Sequence, residues 1–432
     1  MARYGDDVVA LATPLTDPGD ADEFLERVGD ARVVMLGEAT HGTHEFYSWR
    51  AALTQRLITE RGFSFVGVEG DWPDCERIDH SVRMRPGAHE DPRDSLLEFE
   101  RWPTWMWANE EVVDFTRWLR GHNATVDVPE QVGFHGLDVY SLWASLRELL
   151  LYLRENDPEM VPAALAAYRC FEPFTEEPQR SAPATRFAPL SCENEVVDLL
   201  VDLRERATHG AEDEFTAWQN AEIVVNAERY YRALVGGGPD AWNLRGRHMD
   251  ETLARLLEHY EGRIGPGAKA VVWAHNTHVG DARGTEMAWS GEISIGRLAR
   301  ERYGEDRVVL AGFGTHSGTV VAGEAWGAPM AVMPLPEARK GSLEDILHLA
   351  APPQAMFLFP ADDRPDLLGH ELGHRAVGVV YDPRREHRGN YVTTVLGRRY
   401  DAFYWFDESH AVSPLRTHAV DVLEPEAYPA GV

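Results

Sequence analysis

The feature that most constrains this chain is a series of short apolar runs, each closed by a polar or glycine-bearing turn and separated from the next by longer helical patterns. Such runs predict buried strands of a mostly parallel sheet. The first, Arg32–Leu36, leads into Gly37-Glu38-Ala39-Thr40-His41-Gly42, after which Phe46, Trp49, Leu53 and Leu57 recur at three or four residues and predict a helix. Phe65–Val68 ends in Glu69-Gly70-Asp71-Trp72, and Gln131–Phe134 ends in His135-Gly136-Leu137-Asp138. Ala270–Trp273 ends in Ala274-His275-Asn276-Thr277-His278, Val308–Ala311 runs towards Gly314-Thr315-His316, and Ala376–Val380 makes a sixth run before Tyr381.

In an open parallel sheet the C-terminal strand ends converge on one edge, where such folds place their ligand crevice. Glu38, His41, Glu69, Asp138, His275, His278 and His316 all lie within a few residues of a predicted strand end. Ordinary turns take their polarity mainly from Ser, Asn and Asp. Here histidines and carboxylates dominate, so loops distant in sequence are expected to supply one pocket.

From about Ser141 to Arg263 the pattern becomes helical. Leu146, Leu149, Leu150 and Leu153 mark one helix, Val196, Val197, Leu200 and Leu203 a second, Phe215, Trp218, Val225 and Tyr230 a third, and Met249, Leu253, Leu256, Leu257 and Tyr260 a fourth. The expected fold is therefore α/β, a mostly parallel central sheet flanked by helices. Residues 1–140 and 264–432 are expected to form the core, and 141–263 a helical insertion that caps it or walls a cleft.

A hydrophobic fraction of 44% suffices for a large core, and the formal net charge of -29 repels phosphate backbones and anionic lipid. Neither nucleic acid nor a membrane is an expected partner. The first residues lack the pattern of a signal peptide, and no apolar run reaches the ~18 residues of a membrane span. Three scattered cysteines, Cys75, Cys170 and Cys192, fit a reducing, cytoplasmic setting better than a disulfide framework. No signal for an oligomeric state is present.

The chemistry begins with Glu38 and His41. A carboxylate three residues before a histidine in a glycine-flanked turn can orient the imidazole and raise its basicity, making His41 the leading candidate for a general base. His44 and Glu45 fit the first turn of the following helix. Glu69, emerging from an apolar strand, needs an Arg, a His or a metal nearby, and Arg50 is one candidate. His275 and His278, bracketing Asn276-Thr277, can hold a metal, transfer protons or donate to an oxyanion. The serine-hydrolase elbow G-x-S-x-G, the phosphate loop and the dinucleotide fingerprint are absent, and His41-Gly42-Thr43-His44-Glu45 does not match a zincin motif. Water activated by histidine and carboxylate remains, with or without a metal.

These residues carry a family resemblance. LGEATHGTHEFYSWRAALTQRLITERGFSFVGVEGDWPD, followed by WAHNTHVGD, resembles the erythromycin esterase family, and the likeness extends more loosely through RWPTWMW, FHGLDVYS, WNLRGRHM, AGFGTHSG and RAVGVVYDP. The resemblance implies an α/β hydrolase that opens a macrolide lactone with water in a deep cleft beside a helical portion. It puts the general base on His41 with Glu38 as its partner, and the remaining motif residues on Glu69, Arg50, His275 and His278, with neither metal nor cofactor expected. Asp71, Trp72 and Asp138 are candidate substrate residues. So are Arg245 and His248 of WNLRGRHM, with Asn243 and Arg247 beside them, and His316 at its strand end. Trp105, within the cluster of Trp102, Trp105 and Trp107, is a candidate for ligand contact or for plain core packing.

The first expectation is thus an ester or lactone hydrolase in which Arg50, His275 and His278 stabilise the oxyanion or protonate the leaving alcohol. A water-free acid-base reaction, such as elimination, cyclisation or epoxide opening, is the alternative, and a small-molecule binding protein a third. The carboxylates at the expected site favour a neutral or cationic small-molecule substrate.

Overall fold

A computed structural model describes residues 4–171, 212–360 and 365–416. Eleven strands occur among them: β1 (Ala12–Pro14), β2 (Val33–Leu36), β3 (Phe65–Val68), β4 (Gly133–Gly136), β5 (Ala270–Trp273), β6 (Val308–Gly323), β7 (Met330–Leu335), β8 (Gln354–Leu358), β9 (Glu371–Arg375), β10 (Tyr391–Val395) and β11 (Ala402–Ser409). Nine form one sheet in the order β1-β8-β11-β6-β2-β5-β3-β4, with β7 paired to the far end of β6, while β9 and β10 form a small antiparallel sheet of their own. The stretch from β11 to β4 is parallel throughout. The α/β class expected from the strand spacing is the class observed.

Alternation along the strands builds two apolar layers. Val34, Leu36, Val66, Val68, Val271 and Trp273 face one core, together with Phe46, Leu53 and Leu57 of α1 (His44–Arg61). Val33, Met35, Phe65, Ala270 and Val272 face the other, which is closed by Met249, Leu253, Leu256 and Leu257. These strand residues are fully buried, and each large aliphatic or aromatic side chain taken out of water contributes about 1.5–3 kcal/mol. Two-sided burial explains why the strands appear as continuous apolar runs.

Register places the site. Leu36 pairs with Trp273, Trp273 with Val68, and Val68 with Gly136, so β2, β5, β3 and β4 end at one level. Glu38, His275, Glu69 and Asp138 follow within one or two residues. Among the described residues, 141–263 contributes helices alone: α2 (Leu142–Asn156), α3 (Val161–Phe171), α4 (Glu212–Gly236) and α5 (Asp240–Ile264). The expected helix around Val196–Leu203 lies outside the described residues. No helix among the described residues is long and apolar enough to cross a membrane.

Several expectations change. The third run pairs two residues later than its hydrophobicity suggests, at Gly133–Gly136. The fifth does not stop at Ala311 but continues to Gly323. Ala376–Val380 is not a sheet strand. It makes isolated bridges, Val377 to Thr40 and Val380 to Gly323; Val377 packs on Val320 and Ala322 of β6, while Val379 and Val380 face a cavity. β8 and β11 were not anticipated, although Phe403–Phe406 is an unbroken aromatic run in the middle of the sheet.

Gly136 shows how tightly the strand ends are packed: a Cβ there would lie 2.5 Å from the backbone of Gly70 and Asp71. Gly136→Ala is expected to lower stability by about 1–3 kcal/mol, measured by chemical denaturation, because backbone rather than a flexible side chain must yield.

Candidate active site

The turn after β2 and the first turns of α1 create a chain of buried polar groups. His41 Nδ1 lies 2.9 Å from Glu38 Oε1, and Arg50 Nη2 donates to Glu38 Oε2 at 2.7 Å. Arg50 is itself held between aromatic faces, 4.4 Å from the Tyr47 ring and 5.2 Å from that of Trp273, and the Tyr47 hydroxyl donates to the His41 carbonyl at 2.8 Å. With Nδ1 engaged by a carboxylate, the neutral His41 tautomer carries its proton there and leaves Nε2 as an acceptor.

Glu69, after β3, is the second anchor. Oε2 accepts the His275 backbone N–H at 2.8 Å, while Oε1 lies 2.7 Å from Arg245 Nη2 and 3.2 Å from His278 Nε2. Arg245, from α5, also holds Asp138 in a forked pair of 2.9 and 2.6 Å and lies 4.7 Å from the Tyr140 ring. The His278 ring stacks on Trp242 at 4.5 Å.

His275 faces His41 with ring centroids 4.9 Å apart. Its Nδ1 accepts from the Thr277 backbone N–H, so its proton resides on Nε2, an atom that is buried and has no hydrogen-bond partner among the described residues. An imidazole acceptor and an imidazole donor thus stand side by side at the bottom of one cavity.

The charges reinforce this division. Burial works to lower the His41 pKa, but Glu69 and Glu38 outweigh it and hold the value above that of a free histidine. Burial would raise the Glu69 pKa, yet His278, Arg245 and His41 keep it well below the usual carboxylate range. His275 is pushed well below the ordinary histidine value by burial and then by His41, so it stays neutral. Burial raises Asp71, and it brings Asp74 to about 7 against the opposing charge of Arg77.

The cavity, about 900 Å³ with its open mouth included, is lined by His41, Glu69, Asp71, Asp138, Arg245, His275 and His278 of the expected set. Asp74, Arg101 and the rings of Trp102, Trp107, Tyr140, Trp242 and Trp326 complete much of its wall, as do Val379 and Val380 of the sixth apolar run. The Trp-rich segment therefore divides. Trp102 packs edge-on against Trp326 with centroids 4.4 Å apart and lines the cavity with Trp107, whereas Trp105 is fully enclosed in the core.

Other expected residues are placed differently. Arg50 does not reach Glu69 or the cavity lining. Its position on the second turn of α1 puts it behind Glu38, and Arg245 is the guanidinium that meets Glu69. Trp72 is buried against His135, with ring planes 14° apart, and takes no part in the lining. His248 faces α4, its Nδ1 3.1 Å from Asn226 Nδ2, and burial lowers its pKa to about 3. Asn243 bonds the Gly291 carbonyl, and Arg247 is exposed. His316 stacks on His348 at 3.8 Å, because β6 runs on and carries it roughly 16 Å past the level of Ala311. Asp74, Arg101, Tyr140, Trp242 and Trp326 were not singled out as site residues, and Trp326 had no local signal because it reaches the cavity from the β6–β7 connection.

A family model described as erythromycin esterase matches residues 58–409. Three solved structures are similar over nearly the whole chain. A succinoglycan biosynthesis protein is 17% identical with a TM-score of 0.75, covering 95% of this chain and 98% of its own. A Bacillus cereus protein is 19% identical with a TM-score of 0.76, covering 96% and 99%. A variant of the erythromycin esterase EreC in its open conformation is 18% identical with a TM-score of 0.66, covering 90% and 94%. At these identities the structural likeness is one of fold.

Two outcomes follow from the buried chain. Arg50→Met leaves Glu38 without its guanidinium and is expected to cost about 3–5 kcal/mol in denaturant unfolding. Glu38→Gln removes one of the two carboxylates that offset burial at His41. The His41 ring, followed by NMR titration, is then expected to take up its proton at lower pH than in the wild type.

Proposed function

Because the chain belongs to the erythromycin esterase family, we propose that it is a hydrolase of carboxylic ester or lactone bonds in which His41, oriented by Glu38, activates water. The observation that carries this reading is the pairing of His41, its Nδ1 on Glu38, with the neutral His275 ring beside it, whose Nε2–H is unpartnered among the described residues. His41 Nε2 takes a proton as the water oxygen bonds to the carbonyl carbon, and the negative charge that develops on the carbonyl oxygen is met by the His275 Nε2–H. Collapse breaks the bond to the alcohol oxygen, which takes the proton back from His41. The products are an acid and an alcohol, or one hydroxy acid if the substrate is a lactone.

Glu38 and Glu69 stabilise the His41 imidazolium formed in between, as their effect on its pKa indicates. In this reading Arg50 acts through Glu38 rather than on the oxyanion. Glu69 positions His275 through its backbone N–H, and Arg245 ties Glu69 to Asp138. The α/β core of residues 1–140 and 264–432 thus supplies the base and the oxyanion donor, and the helical segment 141–263 supplies Arg245 and Trp242.

The cavity lining supports a neutral or cationic small molecule: Glu69, Asp71, Asp74 and Asp138 stand against Arg101 and Arg245. Aromatic side chains along the wall favour a substrate with a sizeable apolar body. Macrolide lactones meet both conditions, as do other amphipathic esters.

His41→Ala is expected to lower kcat on an accepted ester or lactone by about 10²–10⁴-fold, and retention of full turnover would sink the assignment. Wild-type kcat/KM should rise with pH through an apparent pKa above that of free histidine, since the deprotonated ring is the active form. Turnover in isotopically labelled water should put one labelled oxygen into the acid product, as read by mass spectrometry. Unlabelled product would favour the water-free alternative instead. The proposed chemistry uses no metal ion, so exhaustive chelation is expected to leave kcat unchanged.

A further inference from the structure

Asn276 sits between His275 and Thr277, and its side chain bonds to groups of the sheet rather than of the cavity. Its backbone N–H donates to the Glu38 carbonyl at 2.8 Å. Its amide brackets the main chain of Phe313 on β6, Nδ2 donating to the carbonyl at 2.7 Å and Oδ1 accepting the N–H at 3.2 Å. β2 leaves the sheet here. The Gly37 N–H makes its last ladder bond to the Ala311 carbonyl at 2.8 Å, and the Asn276 amide occupies the next rung. Gly37 leaves room for it, since a Cβ at that position would stand 2.1 Å from Asn276 Oδ1.

The amide has a further partner. Nδ2 lies 3.2 Å from His374 Nε2, and His374 Nδ1 lies 2.6 Å from Glu344 Oε1. Asn276, His374 and Glu344 are all fully buried. An N–H directed at Nε2 requires that nitrogen to be unprotonated, which places the His374 proton on Nδ1, facing Glu344. Burial keeps the His374 pKa below its ordinary value although Glu344 pulls the other way, and Arg399 and Arg375 add to the lowering. The charged and titratable groups around the ring are thus Glu344 on the helix Leu343–Ala350, Arg375 on β9, and Arg399 with Tyr400 after β10. Arg399 also donates to the Asn276 carbonyl at 3.0 Å. A flipped amide would set Nδ2 against the Phe313 N–H and Oδ1 against the Phe313 carbonyl, so only one orientation satisfies both neighbours.

We infer that Asn276 is a positioning residue for the His41–Glu38 base: it holds the loop carrying His275 and His278 in register with the loop carrying Glu38 and His41, and His374, anchored on Glu344, braces its amide in the direction that Phe313 sets. The inference rests on the base proposed above, so its test includes a measurement that needs no substrate.

The full chain is compared as wild type, Asn276→Ala, His374→Phe and His374→Gln. The readouts are the pH titration of the His41 ring by NMR and kcat/KM on an accepted ester. In Asn276→Ala and His374→Phe the His41 titration is expected to move to lower pH, the direction Glu38→Gln takes it, because Glu38 is no longer held against the ring. kcat should fall about 10–100-fold with KM nearly unmoved, the signature of a small displacement of reacting groups. His374→Gln keeps one donor and one acceptor, and it should recover most of the titration shift. A folded Asn276→Ala or His374→Phe variant whose His41 titrates as in the wild type overturns the inference. If Asn276→Ala does not fold, the two His374 variants decide it. A wild-type chain that cleaves no ester would overturn the hydrolase reading, while the titration would still judge the role of Asn276.

Discussion

Two carboxylates, Glu38 and Glu69, are taken almost entirely out of water at the ends of the strands that flank β5, and the rest of the site is arranged around keeping them charged there. A buried carboxylate without partners would give up its charge by taking a proton. Glu38 is met by Arg50 and His41, and Glu69 by Arg245, His278 and the His275 backbone. Each partner is thereby immobilised. Arg50 lies between two aromatic faces, Arg245 is forked onto Asp138, and His278 lies flat on Trp242. The rigidity of the proposed catalytic groups follows from this electrostatic requirement.

The same requirement sets opposite protonation behaviour in two adjacent imidazoles. His41 has a carboxylate on its own turn and another across the cavity, and together they overcome the cost of burying its charged form. His275 has a hydroxyl and a backbone N–H as its Nδ1 partners and His41 as a neighbouring positive charge, so burial prevails and it stays neutral. One ring is suited to accept a proton and the other to donate a hydrogen bond, from identical side chains in unlike surroundings. Asn276 links the two loops, since its backbone bonds Glu38 and its side chain takes the rung on β6 that β2 leaves open.

How much of this was legible beforehand differs from residue to residue. Strands β2, β3 and β5 were evident because burial on both faces makes them uninterrupted apolar runs. The polar residues at their ends stood out because histidine and glutamate are unusual at buried turns. The Glu38–His41 pair could be read from spacing alone, as its members are three residues apart on one turn. The partner of Glu69 could not. Arg50 is close in sequence, whereas Arg245 lies 176 positions away, and ion pairs form by distance in space. Trp105, Trp72 and His248 resemble ligand-contacting residues in composition, but each is turned into a packed layer.

By itself the sequence determined the alternation of strands and helices, the loops that bear chemistry and the local turn joining a histidine to a glutamate, because these depend on periodicity and on contacts within a few residues. Tertiary structure decided which strand ends stand at one level, which arginine neutralises which carboxylate, which histidine is left neutral, and that Val379 and Val380 wall a cavity instead of extending a sheet. Those outcomes depend on burial and on separations of about 3 Å between residues that can be far apart along the chain, and spacing in the sequence carries no measure of either.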